Sequence, residues 1–311
     1  MAKKTTRPAA TRAQRQAQRE AAEKALAEQA AKDRRQQTIL GATVVAVIVV
    51  IIAVVAGVIW YRNRPVDTAA LKSEVDKVAV KPANATDDYG FLISKNGINK
   101  PVEGVPTVEF YMDYICPGCG NMERSTGATT SKLVASGQIN LEIHPLSFMD
   151  RYSTDNYSTR AAGAVINVAE KDPDHLLAFI SNLYAEDFQP QEGSGYVATS
   201  DEQIQQQAIK AGVSEDVAKT ISEGQYADWI KAETQVTINR PELANVSGQY
   251  KGQVSTPIVT INGTYWDWNS VDTSVTLDQA LLRALGLEES QVGTDTVPTI
   301  GADGKALYPE S

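Results

Sequence analysis

The amino-acid sequence predicts an α/β domain with an inserted helical domain, preceded by a single transmembrane helix. Three observations carry this. A charge-free run of 22 residues, Ile39 to Trp60, is long enough to span a bilayer as a helix. Strand-like segments at 106–113, 139–144 and 257–261 are separated by helical patterns. The longest separation, about 157–240, reads as consecutive helices set into the α/β order. The charge balance excludes a whole-chain nucleic-acid binder, because 29 basic and 38 acidic residues give a net charge of −9. Two cysteines in 311 residues exclude a disulfide-rich scaffold, and two histidines leave little for a metal site.

Charge is unevenly spread. Residues 1–37 hold ten Lys/Arg and four Asp/Glu, a net of +6, and the remainder carries −15. The positive-inside rule therefore places 1–37 in the cytoplasm, 38–60 in the bilayer and 61–311 outside. A cleavable signal has a shorter apolar core and a small-residue cleavage site. Here the run ends instead in Trp60-Tyr61-Arg62, an interfacial anchor. The basic segment serves as an orientation signal and could also touch anionic lipid.

Residues 61–88 lack periodicity and read as a linker into a domain at 89–287. Pro106 to Asp113 is a buried strand. A helix follows Pro117 and stops near Gly137. Ile139, Leu141 and Ile143 alternate with Asn140, Glu142 and His144, as in a half-buried strand. Within the insertion, Asp172-Pro173 starts a helix with Leu176, Ile180, Leu183 and Tyr184 on one face. Thr199 and Glu202 form a capping box, with Ile204, Ala208 and Ile209 lining the helix that follows. A short helix begins at Ser214, and a longer one contains Trp229, Ile230 and Val236. Strand 257–261 turns at Asn262-Gly263 into a partner at Tyr265 to Trp268. Thr276 caps a final helix that Gly286 closes, and 288–311 read as a flexible tail.

The chemistry is concentrated in Cys116 and Cys119, within YICPGCGNM at a strand-to-helix junction. There Cys116 sits at a helix N-terminus, where unpaired N–H groups favour an anion. A thiolate so placed is the nucleophile of disulfide exchange, and a second thiol one turn away can close the ring and release a mixed disulfide. Structural zinc would need two more ligands, and His144 and His175 are 31 residues apart. Covalent haem attachment needs His after the second Cys, where Gly120 stands. A purely structural bridge would close a very small loop and stabilise little.

Val108 to Cys119, VEFYMDYICPGC, resembles the active-site strand and helix start of the thioredoxin superfamily, in particular the DsbA-like disulfide oxidoreductases. Ser255-Thr256-Pro257 before Ile258 to Gly263 resembles the family's cis-proline loop. The resemblance covers roughly residues 90–287. Val297-Pro298-Thr299 is a rival proline loop, but too little chain follows it to supply two strands and a helix. The resemblance implies a thioredoxin-like core with catalytic Cys116 and Cys119. It implies that Pro117, Gly118, Thr256 and Pro257 contact an extended substrate segment. It also implies protein substrates with thiols or disulfides, no cofactor, and a membrane oxidase that reoxidises the pair.

Two departures stand out. Many relatives carry His between the cysteines where this chain has Pro117-Gly118, which predicts a less stabilised thiolate and a weaker oxidant. The family tends to place a buried carboxylate six residues before the first Cys. Phe110 occupies that position, with Glu109 one step away on the opposite strand face. Trp266 and Trp268 could form a substrate rim or an aromatic packing pair, and His144 reads as structural. The functional expectation is an extracytoplasmic enzyme that introduces disulfides into secreted or envelope proteins. The same residues could run as a reductase or isomerase, or the domain could be a non-enzymatic binding module with an inert disulfide.

Overall fold

The computed structural model describes residues 66–301 and 304–308, the helical turn 50–54, and scattered helical residues between 16 and 32. The expected membrane span at 38–60 and the basic segment at 1–37 lie mostly outside these. Among the described residues no helix is long and apolar enough to cross a membrane. The described residues from Asp67 onward belong to one compact unit.

This unit opens with α1 (Thr68–Lys77), capped by Asp67, whose carboxylate accepts from the N–H groups of Ala69 and Ala70. This corrects the linker expectation. Val75 is buried, and Leu71 and Val78 pack beside it at helical spacing. Further on, the carboxylate of Glu170 holds the main-chain N–H groups of Ala83 and Asn84.

Among the described residues six strands form one sheet, in the order β2-β1-β4-β3-β5-β6. These are β1 (Phe91–Ser94), β2 (Gly97–Ile98), β3 (Thr107–Asp113), β4 (Asn140–Leu146), β5 (Ile258–Ile261) and β6 (Thr264–Tyr265). Among the described strands only β3 and β4 run parallel, from Thr107 opposite Asn140 to Asp113 opposite Leu146. A parallel pair needs a crossover. That is α2 (Pro117–Ser136), started by Pro117, which lacks an N–H to waste, and ended by Gly137 at φ 78°.

Every residue of β4 is buried, where alternation predicted one wet face. The reason is tertiary. One side of the strand packs on α2, and α3 (Tyr157–Lys171) and α7 (Ala227–Thr237) also pack on it. Between those two lie α4 (Leu176–Leu183), α5 (Asp201–Lys210) and α6 (Glu215–Ala218). The capping box of α5 is Ser200 with Gln203, one residue beyond the predicted pair. Ile209, expected on its apolar face, is exposed.

The last helix, α8 (Leu277–Ala284), is capped by Thr276 and packs on α2. Residues beyond it do not form the free tail that their polarity predicted. The buried Gln138 amide donates to the carbonyls of Gln291 and Thr296, and its oxygen accepts from the Gly293 N–H. The Trp266 indole donates to the Tyr308 carbonyl, and Val292, Ile300 and Tyr308 rest on the core.

Candidate active site

Strand β3 ends at Asp113, two residues turn, and Cys116 becomes the N-cap of α2. The Cys116 N–H bonds the Asp113 carbonyl at 3.0 Å, and the Cys116 carbonyl accepts the first helical N–H, from Gly120. That carbonyl also takes the Gln189 amide, at 2.9 Å, from the loop after α4. Arg124 holds Gln189 by its oxygen at 3.0 Å. A side chain at Gly120 would displace this Gln189 amide, because a Cβ there would stand 2.0 Å from the Gln189 oxygen.

Both cysteines are free thiols and their exposure differs: Cys116 keeps 6% of its surface and Cys119 none. Cys116 alone is open to a partner. Its thiol is lowered to about 7, first because the Cys119 thiol hydrogen-bonds to it, helped by Thr256 and by the N–H groups of Cys119 and Gly118, against the opposing effect of burial. Burial pushes Cys119 well up, and the hydrogen bond to Cys116 adds to this. The pair thus consists of one accessible thiol that ionises near neutrality and one enclosed thiol that holds its proton.

The peptide Thr256–Pro257 is cis and faces the pair, with the Thr256 carbonyl 3.4 Å from Cys116 Sγ. Asn245 braces the loop leading to it. Its side-chain amide donates to the Gln253 carbonyl and the Ser255 hydroxyl, and its oxygen accepts from the Tyr265 hydroxyl. Pro117, Gly118, Thr256 and Pro257 line one cleft of about 620 Å³ together with Cys116. Trp268 lines it too, its indole bonding the Pro257 carbonyl at 3.1 Å, while Trp266 is a core residue. The two tryptophans therefore divide between the two roles weighed for them as a pair.

Gly118 has a steric reason that electrostatic reading missed. A Cβ there would lie 2.9 Å from Pro257 Cδ, a ring atom fixed in its loop, and 3.7 Å from Cys116 Sγ. A histidine at 118 would thus change the contact between the two loops as well as the charge beside the thiolate.

The buried carboxylate of this site is Asp113, three residues before Cys116, and neither Glu109 nor position 110. Asp113 is fully enclosed. One oxygen accepts from the Ile115 N–H at 3.2 Å and the Ser158 hydroxyl at 2.6 Å, the other from the Met149 N–H at 3.0 Å. Burial raises its pKa to about 7 against those three donors, and the Cys116 charge raises it further. An Asp closing the strand three residues before the first Cys of Cys-x-x-Cys was the available sequence signal. Glu109 instead takes the Tyr111 hydroxyl at 2.8 Å. Beyond Tyr111, His144 is buried, stacked on that ring at 3.9 Å between centroids, and burial lowers its pKa to about 3.

The thioredoxin family model matches residues 103–279, more than half of the chain, and the chain belongs to that family. Among curated proteins it is similar to the serine/threonine-protein kinase PknE of Mycobacterium tuberculosis and of Mycobacterium bovis. Identity is 36% over 146 residues, covering 46% of this chain and 25% of the kinase. The chain thus spans about a quarter of the length of the curated relatives it matches. Among solved structures it is similar to oxidised DsbA from Mycobacterium tuberculosis, at 27% identity over 58% of this chain and 85% of that one, TM-score 0.47. Reduced DsbG from the same organism matches at 28% identity over 63% and 85%, TM-score 0.48.

Proposed function

We propose that this protein is a thiol–disulfide oxidoreductase of DsbA-like type, held at the membrane by residues 38–60 with its catalytic domain outside the cytoplasm. The observation that carries the reading is the asymmetry of the cysteine pair. Cys116 is accessible and ionises near neutrality, while Cys119 is sealed and protonated one helical turn away. A substrate thiolate attacks Cys116 Sγ of the oxidised enzyme, the Cys116–Cys119 bond breaks, and Cys119 leaves as a thiolate that takes a proton. A second substrate thiolate then displaces Cys116 and carries away the new disulfide.

Asp113 is the buried acid beside this exchange, and Thr256-Pro257 presents main-chain edges to an extended substrate. A thiolate favoured at a helix N-terminus stabilises the reduced enzyme, which supports disulfide donation as the direction. A pKa of about 7 makes it a moderate oxidant. A membrane oxidase that recycles the pair completes the proposal, and an inert binding module is the competing reading.

The test is trapping. In full-length protein, Cys119→Ser should accumulate mixed disulfides with reduced, unfolded proteins, and Cys116→Ser should accumulate none. Equal trapping by both variants, or by neither, would refute the roles. A glutathione titration giving a potential as low as about −270 mV would move the direction to reduction.

A further inference from the structure

We infer that Ser158 is a positioning residue for the exchange reaction, holding the Asp113 carboxylate ready to take the proton of Cys119. The inference rests on the oxidoreductase reading above. Two of the three donors to Asp113 are main-chain N–H groups, of Ile115 and Met149, which any residue at those positions would supply. The Ser158 hydroxyl is the side-chain donor, at 2.6 Å, and it comes from the first turn of α3, 45 residues away in sequence. Ser158 is itself fully buried, so water does not compete for the contact. The helical insertion therefore reaches the Asp113 carboxylate through the Ser158 hydroxyl, as it reaches the Cys116 carbonyl through the Gln189 amide.

The groups facing Asp113 are few. Its main chain hydrogen-bonds Cys119, and its carboxyl feels the charge of Cys116, both on α2. The phenols of Tyr114 after β3, Tyr157 on α3 and Tyr184 at the end of α4 complete the surroundings. Those three hydroxyls are buried without hydrogen-bond partners, and burial holds them protonated. Among these neighbours the cysteine thiols are the groups left to trade a proton with Asp113 near neutrality.

The step is balanced. In closing the enzyme disulfide, the Cys119 S–H gives its proton to the Asp113 carboxylate. The thiolate attacks Cys116 Sγ in the mixed disulfide, and the Cys116–partner S–S bond breaks with its electron pair on the departing thiolate. The cysteine pair is oxidised by two electrons and the partner is reduced. The Ser158 hydroxyl favours the ionised carboxylate, so its loss keeps Asp113 protonated to higher pH and removes the acceptor near neutrality.

The experiment uses reduced full-length chain mixed with glutathione disulfide. The Cys116–glutathione adduct is timed by acid quench and mass measurement from pH about 5 to about 10, bracketing the acid involved. Ser158→Ala should move the midpoint of adduct resolution up by about one pH unit, roughly fivefold slower at neutral pH, with the alkaline plateau kept. Ser158→Thr, which keeps the hydroxyl, should restore the wild-type midpoint. In an Asp113→Asn background Ser158→Ala should shift nothing further, a result that a merely structural serine would not give. Should Ser158→Ala fail to fold, Ser158→Cys, a weaker donor of similar shape, must shift the midpoint in the same direction. An unmoved midpoint, or an equal shift without Asp113, overturns the inference alone. A wild-type chain that forms no adduct at Cys116 overturns the oxidoreductase reading and this inference with it.

Discussion

Two buried carboxylates belong to the central strand pair, and their contrast is instructive. Asp113 ends β3, and Glu142 lies within β4. Burial is the first cause at both, and each is raised to about 7. Asp113 has three donors and faces the cysteine pair. Glu142 has the Thr86 hydroxyl at 2.5 Å and the His144 ring nitrogen 3.6 Å away. That histidine is held neutral by its own burial, so the contact is not an ion pair. A carboxylate lifted toward neutrality is therefore no sign of catalysis by itself. What separates the two is the neighbour: a thiol that must lose a proton in one case, a packed imidazole in the other.

The sharpest way to break this comparison is to delete the neighbour. Cys116→Ser should reduce disulfide exchange about a thousandfold or more, as loss of a nucleophile does. Asp113→Asn comes next, with a loss of roughly a hundredfold at pH 7, while Glu142→Gln should stay within about twofold. Comparable losses in the two variants, measured as thiol release from a model disulfide, would erase the distinction.

Stability should show the opposite pattern, with the two sites alike. A group whose folded pKa is raised stabilises below its unfolded pKa, and that contribution is lost as pH climbs through the folded value. The window here runs from about 4 to about 7 for both carboxylates. In oxidised protein, urea unfolding should lose up to about 4 kcal/mol through Asp113 and about 3 through Glu142 across it. Each amide variant should flatten its own share and be more stable than wild type at pH 8. A profile unchanged by both substitutions would show that neither carboxylate titrates so late.

Smaller effects test the cleft. Gly118→Ala should cost about 1–2 kcal/mol and slow exchange several-fold by driving the Cys loop from Pro257, read by chemical denaturation and initial rates. Trp268→Phe should cost about 1 kcal/mol through the lost bond to the Pro257 carbonyl, with a modest rise in KM for protein substrates.

Much of the core was legible because its signals are local. Proline after Cys116 and glycine at 137 bracket α2, and the β-branched run Ile258 to Ile261 with Asn262-Gly263 marks β5 and its turn. The features that were not legible depend on distant partners. Asp113 reads as a strand end until Ser158 and Met149 are brought to it. Glu142 and His144 alternate as though facing water, and Thr86 and Gly90 from before β1, with the Tyr111 ring, enclose them. Residues 288–308 look like a tail because their docking site is Gln138, about 150 positions earlier. Gly118 looked like a missing charge because its crowding against Pro257 joins loops about 140 positions apart.

The indole of Trp266 has its acceptor at Tyr308, 42 residues further on. A chain emerging from a ribosome or an export channel in the N-to-C direction presents that tryptophan well before its acceptor exists. Until residue 308 arrives, a buried N–H is unmatched and the groove that Tyr308 fills beside Arg283 stands open. This corner of the core is therefore the one that the last described residues finish, whereas the partners of the cysteine pair, Ser158, Gln189 and Thr256, all precede it in the chain.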